Sequence, residues 1–576
     1  MHLLKKVFPR EAPYPSPPES ASHFHIIYSS LKQRLSSSPS LVLLLIFILA
    51  LAIRVLFLFH YRMIETDGAY YGAVARLFAD GHWIKACDPY WPPLFPFLTI
   101  LPYKLGLSLE ASGIVISLLA SAGCVIVCFF LARLIAGEKA GLLAAGLAAV
   151  HPRLVSISQS FMTEPLYGVL VCGGLALFCH AVQSARGRSF LKNGIFFALS
   201  GALLGLSFLT RHEGAFYFLL LLAIGALAMI FGQARVKDSP HRSLAHRIVL
   251  PLFMLAGFAI VSFPYIRQVA KLEGRWTLGE KAEANMYVAY RDDYQKAGIS
   301  VKRSDYDSIT APDEARQPGD YRVFEFVRKN PLKIIGRIAQ IIPRAVLDKI
   351  PSFITWPYIL LGLFGLFYRK FVKRSSSYEK LFALCVLLPV LMYSPLFLYR
   401  RFFIATAPIF LAWGAIGLDE LRHRLKRAHF AIVIIVWSLV SLGATHFSLS
   451  NQSWPILYKD AGLWLKGQNI KPLVLSGRKP ETSFYAGAEF RPLESQTMEE
   501  LKPFLAEKGV THLVVEDYVF ADSHPNLAGL LDPEKAPPWL RPVFSATKEG
   551  HRLIVYAYAP ADAPRNSWVH ATQSRD

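Results

Sequence analysis

The chain has 576 residues, 53% of them hydrophobic and only 18% charged, with a formal net charge of +21. A soluble domain usually carries about a quarter of its residues as charges, so this composition points to a membrane protein and excludes long-range disorder. The positive excess fits nucleic acid, anionic lipid or the lysines and arginines that orient membrane helices, and its placement along the chain decides between them.

The first segment, residues 1–40, is rich in Pro and Ser and carries Lys5, Lys6, Arg10, Lys32 and Arg34. The apolar run Leu41–Tyr61 follows it. The run is too long and too far from Met1 for a signal-peptide core, so it reads as a retained first transmembrane helix with a cytoplasmic N-terminus. Ten further apolar segments follow, at Ala111–Leu131, Ala140–Val150, Pro165–Ala181, Gly194–Leu209, Ala215–Phe231, Ile248–Ile266, Phe353–Phe367, Leu381–Leu398, Phe402–Leu418 and Phe430–Phe447. With an inside N-terminus, every short cytoplasmic connection is basic, from Arg133 and Lys139 to the pairs of clusters Arg369–Lys380 and Arg422–Arg427. That is the positive-inside pattern. The expected fold is an α-helical polytopic bundle of about eleven transmembrane helices spanning residues 41–447, and an odd count carries the C-terminus across.

Three larger pieces then lie outside. They are the loop 62–110, the loop 267–351 and the tail 448–576. Within the second, Asp320–Lys349 alternates isoleucines with arginines and lysines and is expected to form interfacial amphipathic helices broken at Pro331 and Pro343. In the tail, Leu473–Ser476, His512–Glu516 and Arg552–Tyr558 have strand character and Met498–Lys508 has helical periodicity, so a small α/β domain is expected there. Its acids and bases nearly balance. That excludes a nucleic-acid-binding module, and no phosphate-loop or dinucleotide motif is present. The six cysteines are mostly in apolar runs and form neither a disulfide framework nor a zinc pattern.

Ionisable residues near membrane depth mark functional sites, because burying them costs several kcal/mol unless they are paired. Four clusters fall on the outer side. The first is Glu65-Thr66-Asp67-Gly68-Ala69-Tyr70-Tyr71, where a helix N-cap would equally explain Asp67, followed by Tyr90-Trp91-Pro92-Pro93-Leu94-Phe95-Pro96. The second is His151-Pro152 with Met162-Thr163-Glu164-Pro165-Leu166-Tyr167, where Glu164 would equally serve the dipole of a first helical turn. The third is Thr210-Arg211-His212-Glu213-Gly214. The fourth is Tyr399-Arg400-Arg401-Phe402, two cations where the positive-inside rule disfavours them. Guanidinium groups bind phosphate oxygens in a fork, and carboxylates beside them suit a general base or a divalent metal. The combination points to activating a hydroxyl next to a phosphate leaving group.

These ordered motifs, with Gly205-Leu206 leading into Thr-Arg-His-Glu-Gly and Asn330-Pro331 in the second external loop, resemble the membrane glycosyltransferases of the GT-C fold. The similarity is to the bacterial branch of the protein O-mannosyltransferase and lipid A aminoarabinose transferase group, glycosyltransferase family 39-like. It covers roughly residues 41–447. The resemblance implies transfer, with inversion, of a sugar from a polyprenyl-phosphate donor to an extracytoplasmic lipid, glycan or protein hydroxyl, in the plasma membrane. It implies Asp67 as the base, Glu164 as a second catalytic acid, and Arg211 with Arg400 or Arg401 on the donor phosphate. Tyr70, Tyr71, His151 and Glu213 would support them. The family usually has Asp-Glu where Asp67-Gly68 stands here, which leaves the acceptor class open, and dependence on Mg or Mn varies among its relatives. Two other readings compete. A lipid or sugar transporter or flippase would show inverted repeats, and the sequence has none. A membrane anchor for a catalytic tail would leave the outer charges without a purpose, and the tail lacks a nucleophile motif.

Overall fold

The computed structural model describes residues 38–61, 63–184, 190–231, 244–303, 309–310, 317–372, 377–450, 454–494, 497–518 and 520–559. The N-terminal basic cluster, Arg62, and the loop cations Arg186, Arg188, Arg235, Lys237, Arg242, Lys373 and Arg374 lie outside those residues.

Helices stand at all eleven expected places. In chain order they are α1 (Pro39–Leu56), α4 (Leu109–Ala136), α5 (Glu138–Val150), α7 (Glu164–Ser184), α8 (Phe190–Thr210), α9 (Gly214–Phe231), α10 (Leu244–Glu273), α12 (Trp356–Val372), α13 (Ser377–Tyr393), α14 (Ala407–Arg424) and α15 (Arg427–Ser450). Between them lie the helices α2 (Thr66–Ala79), α3 (Leu94–Lys104), α6 (Pro152–Ile157) and α11 (Pro331–Arg344). Among the described residues, 7 helices are long and apolar enough to cross a membrane alone, or 8 if Pro331–Ile354 and Trp356–Arg369, bent by 105°, form one span. The short α5, at 13 residues, reaches only about 20 Å, less than a hydrocarbon core.

Close helix contact depends on small residues, as expected where lipid supplies no hydrophobic drive between helices. A Cβ on Gly201 of α8 would lie 1.9 Å from the Met254 carbonyl of α10, and one on Gly257 would lie 2.0 Å from the Ala198 carbonyl. Arg54, which the sequence reading passed over as part of an apolar run, is fully buried in α1. Its guanidinium donates to Ser121 Oγ at 2.9 Å and to the carbonyls of Ala50, Ala148 and Ala149, so it closes the C-terminal end of α5.

One expectation needs correction. The amphipathic segment does break at Asn330-Pro331, with Pro331 in the first turn of α11, but Pro343 sits inside α11 and the helical path continues through Ala345–Lys349 and Ile350–Ile354. The turn comes instead at Thr355, whose φ of 69° redirects the chain into α12.

The tail forms a 5-stranded sheet in the order β2-β1-β3-β5-β4, from β1 (Val474–Gly477), β2 (Glu489–Pro492), β3 (His512–Glu516), β4 (Leu540–Lys548) and β5 (His551–Tyr558). β1 is parallel to β2 and β3, whereas β5 is antiparallel to β3 and β4. Alternation along the central strands feeds two cores. Leu513 and Val515 join Leu501 and Leu505 of α18 (Met498–Glu507) on one face, and Val514 joins Leu457, Ala461 and Leu465 of α16 (Ile456–Gly467) on the other. The short helix α17 (Glu481–Ala486) points toward the bundle, where Phe484 and Tyr485 share a core with Tyr70, Tyr71, Phe95 and Phe161.

Candidate active site

Asp67 is not an N-cap. The cap position is Glu65, extended at φ −84° and ψ 164° and making no side-chain cap bond, and Asp67 falls in the first turn of α2. The helix can lie there because of its neighbour. A Cβ on Gly68 would meet the Phe161 carbonyl at 2.7 Å and Ile64 at 2.8 Å, so the residue after the acid has no room for a side chain.

The 3-10 turn Arg400–Thr406 brings Arg401 to the centre of three carboxylates. Its guanidinium stands 2.7 Å from Asp67 Oδ2, 3.3 Å from Glu164 Oε1 and 3.5 Å from Glu65 Oε2. Glu164, in the first turn of α7 and buried, also accepts from Arg211 Nη1 at 2.8 Å. Arg211 in turn reaches Glu213 Oε1 at 3.2 Å, and the Tyr393 hydroxyl donates to that same oxygen at 2.6 Å. Five of the site residues expected from sequence, Asp67, Glu164, Arg211, Glu213 and Arg401, thus form one ion-pair network across α2, α7, the turn after α8 and the turn before α14.

Burial opposes the charge of Asp67, but Lys281, Arg401 and Arg211 outweigh it and hold the carboxyl below its ordinary value. The same contest pulls Glu213 down to about 2, chiefly through Arg211, while Glu213 and Glu164 keep Arg211 well above the ordinary range despite its burial. Asp67 and Glu213 are thus held as carboxylates by their cationic neighbours.

Sequence reasoning missed four contributors. Lys281, from the segment between α10 and α11, sits over the Trp91 ring at 4.3 Å and near Tyr90 at 5.1 Å, within electrostatic reach of Asp67. Its loop is pinned by the Glu280 N–H donating to the Pro89 carbonyl at 3.0 Å. Arg153 of α6 lines the cavity beside Arg400. The tail supplies Lys479 and Glu481, and the Thr66 hydroxyl donates to Glu481 at 2.7 Å. No local pattern marks these positions; each acquires its place from a distant partner.

The network opens into a cavity of about 700 Å³, lined by Asp67, Glu164, Arg400 and Arg401 together with Glu65, Arg153, Lys479 and Glu481. Arg211 is not in that lining and lies behind Glu164. Tyr70 and Tyr71 are buried scaffolding, stacked on and edge to the Trp91 ring at 4.8 and 5.2 Å. His151 is also structural, since it bonds the Ile354 carbonyl at 3.0 Å and caps α6 through the Leu154 N–H. Among the described residues no group of three His, Cys, Asp or Glu side chains could hold a metal ion. The charge that joins Glu65, Asp67 and Glu164 is the Arg401 guanidinium, so this donor set does not fit Mg or Mn.

Comparison with known proteins identifies the fold. The chain superposes on ArnT from Cupriavidus metallidurans bound to undecaprenyl phosphate with a TM-score of 0.55 and 13% identity, covering 91% of this chain and 99% of that one. It superposes on the archaeal oligosaccharyltransferase AglB from Archaeoglobus fulgidus, in complex with an inhibitory peptide and a dolichol-phosphate, with a TM-score of 0.54 and 13% identity, over 91% and 74% of the two chains. No curated protein matches the chain in sequence. The fold is therefore that of the GT-C membrane glycosyltransferases. Within it, residues 91–257 match the dolichyl-phosphate-mannose-protein mannosyltransferase family, a segment that contains Glu164 and Arg211.

Proposed function

We propose that this protein transfers a sugar from a polyprenyl-phosphate donor to a hydroxyl of a lipid, glycan or protein acceptor on the extracytoplasmic face of the plasma membrane. Residues 41–447 form the membrane module in this reading, with about eleven crossings and the 1–40 segment in the cytoplasm, and residues 448–576 form an extracytoplasmic domain. The observation that carries it is the convergence of Asp67, Glu164 and Arg401 on one cavity, next to membrane-spanning helices.

In the reaction Asp67 takes the proton of the acceptor hydroxyl, whose oxygen bonds to the anomeric carbon. The bond from that carbon to the phosphate oxygen breaks, its electron pair leaves with the phosphate, and the configuration inverts. Arg401 and Arg400 face the cavity and balance the charge that develops on the phosphate. Arg211, expected from sequence to contact that phosphate, has its donors taken by Glu164 and Glu213, and we assign it to holding Glu164 in place. Glu164 fixes Arg401 opposite Asp67. A phosphate that draws Arg401 toward itself would also release Asp67 to act as a stronger base.

The test is purified full-length protein in nanodiscs with polyprenyl phosphates carrying pentoses or hexoses, and mass spectrometry of the acceptors. Sugar transfer is expected. Movement of the lipid across the bilayer without transfer would favour a flippase and contradict the reading.

A further inference from the structure

The helix that carries Asp67 has no cap of its own. Glu65, at the cap position of α2, makes no side-chain bond to the N–H groups of the first turn, where a capping side chain would ordinarily fix the start of a helix. What fixes it comes from the tail. Along α2 and its approach, the Ile64 N–H donates to the Tyr485 hydroxyl at 2.7 Å, the Thr66 hydroxyl to Glu481 Oε1 at 2.7 Å, and Arg76 Nη2 to the Phe484 carbonyl at 2.6 Å. All three acceptors belong to the short helix α17. The Phe484 ring also packs so closely on α2 that Gly72 has no room for a Cβ.

These contacts differ in what they can affect. Tyr485 shares its hydroxyl with Glu110, and Arg76 lies more than two helical turns beyond Asp67, so both hold the tail against the bundle at a distance from the base. Thr66 is the residue before Asp67. Both Thr66 and its partner Glu481 line the cavity, and Glu481 is only 2% exposed, so their bond is shielded from water and keeps its geometry. On the other flank of Asp67, Gly68 is packed against the Phe161 carbonyl and Ile64. The turn that presents the base is thus set against the bundle at Phe161 and against the tail at Glu481. Such placement matters because a base misplaced by about 1 Å can lose about a hundredfold in rate.

We propose that Glu481 of the tail is a positioning residue for the transfer. Through the Thr66 hydroxyl it fixes the first turn of α2, and so the place at which Asp67 meets the acceptor hydroxyl. The tail is then part of the catalytic geometry, by way of one bond, whereas its contact at Glu110 only joins the two parts of the chain. The proposal rests on the glycosyltransferase reading with Asp67 as the base.

The test is a double-mutant cycle on the full-length protein in nanodiscs, with the sugar-bearing polyprenyl phosphates of the transfer assay. Glu481→Ala and Thr66→Val should each lower kcat about ten- to a hundredfold, while KM for the donor and affinity for undecaprenyl phosphate, read by native mass spectrometry, stay within about twofold. Combining them should cost no more than either alone, because both remove the same bond. Glu481→Gln keeps an acceptor and Thr66→Ser keeps a hydroxyl, so each should recover most of the rate. Hydrogen exchange at the amides of residues 69–72 should quicken in Glu481→Ala and Thr66→Val and stay slow in the two conservative variants. Glu110→Gln is the control and should leave kcat per folded molecule nearly unchanged. Losses that add in the double variant would overturn the proposal, as would a loss carried by donor KM or unchanged exchange at residues 69–72. If Glu481→Ala turns over like the wild type while Asp67→Asn is inactive, this inference fails and the catalytic reading stands; if the wild type transfers no sugar, or Asp67→Asn transfers it equally well, both fail.

Discussion

The molecule contains two buried acid–base networks of similar make-up, and they do different things. Around Asp67 and Glu164, carboxylates and guanidinium groups meet on the wall of a cavity. Around Glu110, a carboxylate accepts from Tyr61 at 2.8 Å, from Lys459 at 3.0 Å and from the Tyr485 hydroxyl, while that hydroxyl also receives the Ile64 N–H at 2.7 Å. The Glu110 carboxylate does not line the cavity, although Tyr61 and Ile64, which bond into its network, do. Its members come from α4, the segment after α1 and the tail domain, and together they bolt the tail to the bundle. The Asp67 network has the same kinds of bonds but keeps one face toward open space. Buried charge alone is therefore weak evidence of catalysis, and what separates the two is whether the carboxylates themselves line the cavity, as Asp67 and Glu164 do and Glu110 does not.

Substitutions can break this contrast. Asp67→Asn preserves shape and removes the base, so turnover should fall by about two to four orders of magnitude while donor binding persists. Steady-state kinetics beside a binding titration would show whether the two separate. Glu164→Gln leaves Arg211 and Arg401 short of a counter-charge and should cost about 3–5 kcal/mol of stability as well as activity, read by thermal unfolding in nanodiscs. Glu110→Gln should act on the other network alone. It should lower stability by about 1–3 kcal/mol, with turnover per folded molecule nearly unchanged, and a large loss of turnover there would erase the distinction.

A subtler effect concerns pH. Asp67 is held below the ordinary carboxylate value by Lys281, Arg401 and Arg211, so it stays ionised until the pH falls below that value. The acid limb of kcat/KM should accordingly lie low. Arg401→Gln removes one of the opposing charges and leaves burial in place, so the limb should move to higher pH. A limb that does not move would mean that Arg401 has no electrostatic hold on the base.

The sequence was informative where a pattern is local. Helix positions followed from apolar runs, the strands at 474, 512 and 551 from short stretches of strand character, and the acids and arginines from being charges beside apolar helices. It was uninformative where a residue's role comes from a distant partner. The edge strands β2 and β4 are short or solvent-facing and lack a clear apolar pattern. Lys281 and Arg153 look like ordinary loop cations until Trp91, Ser352 and Ser448 are placed beside them. Conversely, Arg211 carries the stronger sequence signal, and the pairing with Glu164 and Glu213 that turns it away from the cavity is visible only in three dimensions. Gly68 shows the same limit. Its departure from the Asp-Glu pattern is a matter of clearance from Phe161 and Ile64, which no spacing reveals.

The central claim is that Asp67 serves a sugar transfer on the outer membrane face. Mass spectrometry of envelope lipids, glycans and proteins, from cells making either the wild-type chain or Asp67→Asn at equal membrane levels, tests it most directly. The account predicts a pentose or hexose modification present with the wild type and absent with the variant, accompanied by accumulation of the polyprenyl-phosphate sugar. Identical modification in both would contradict it.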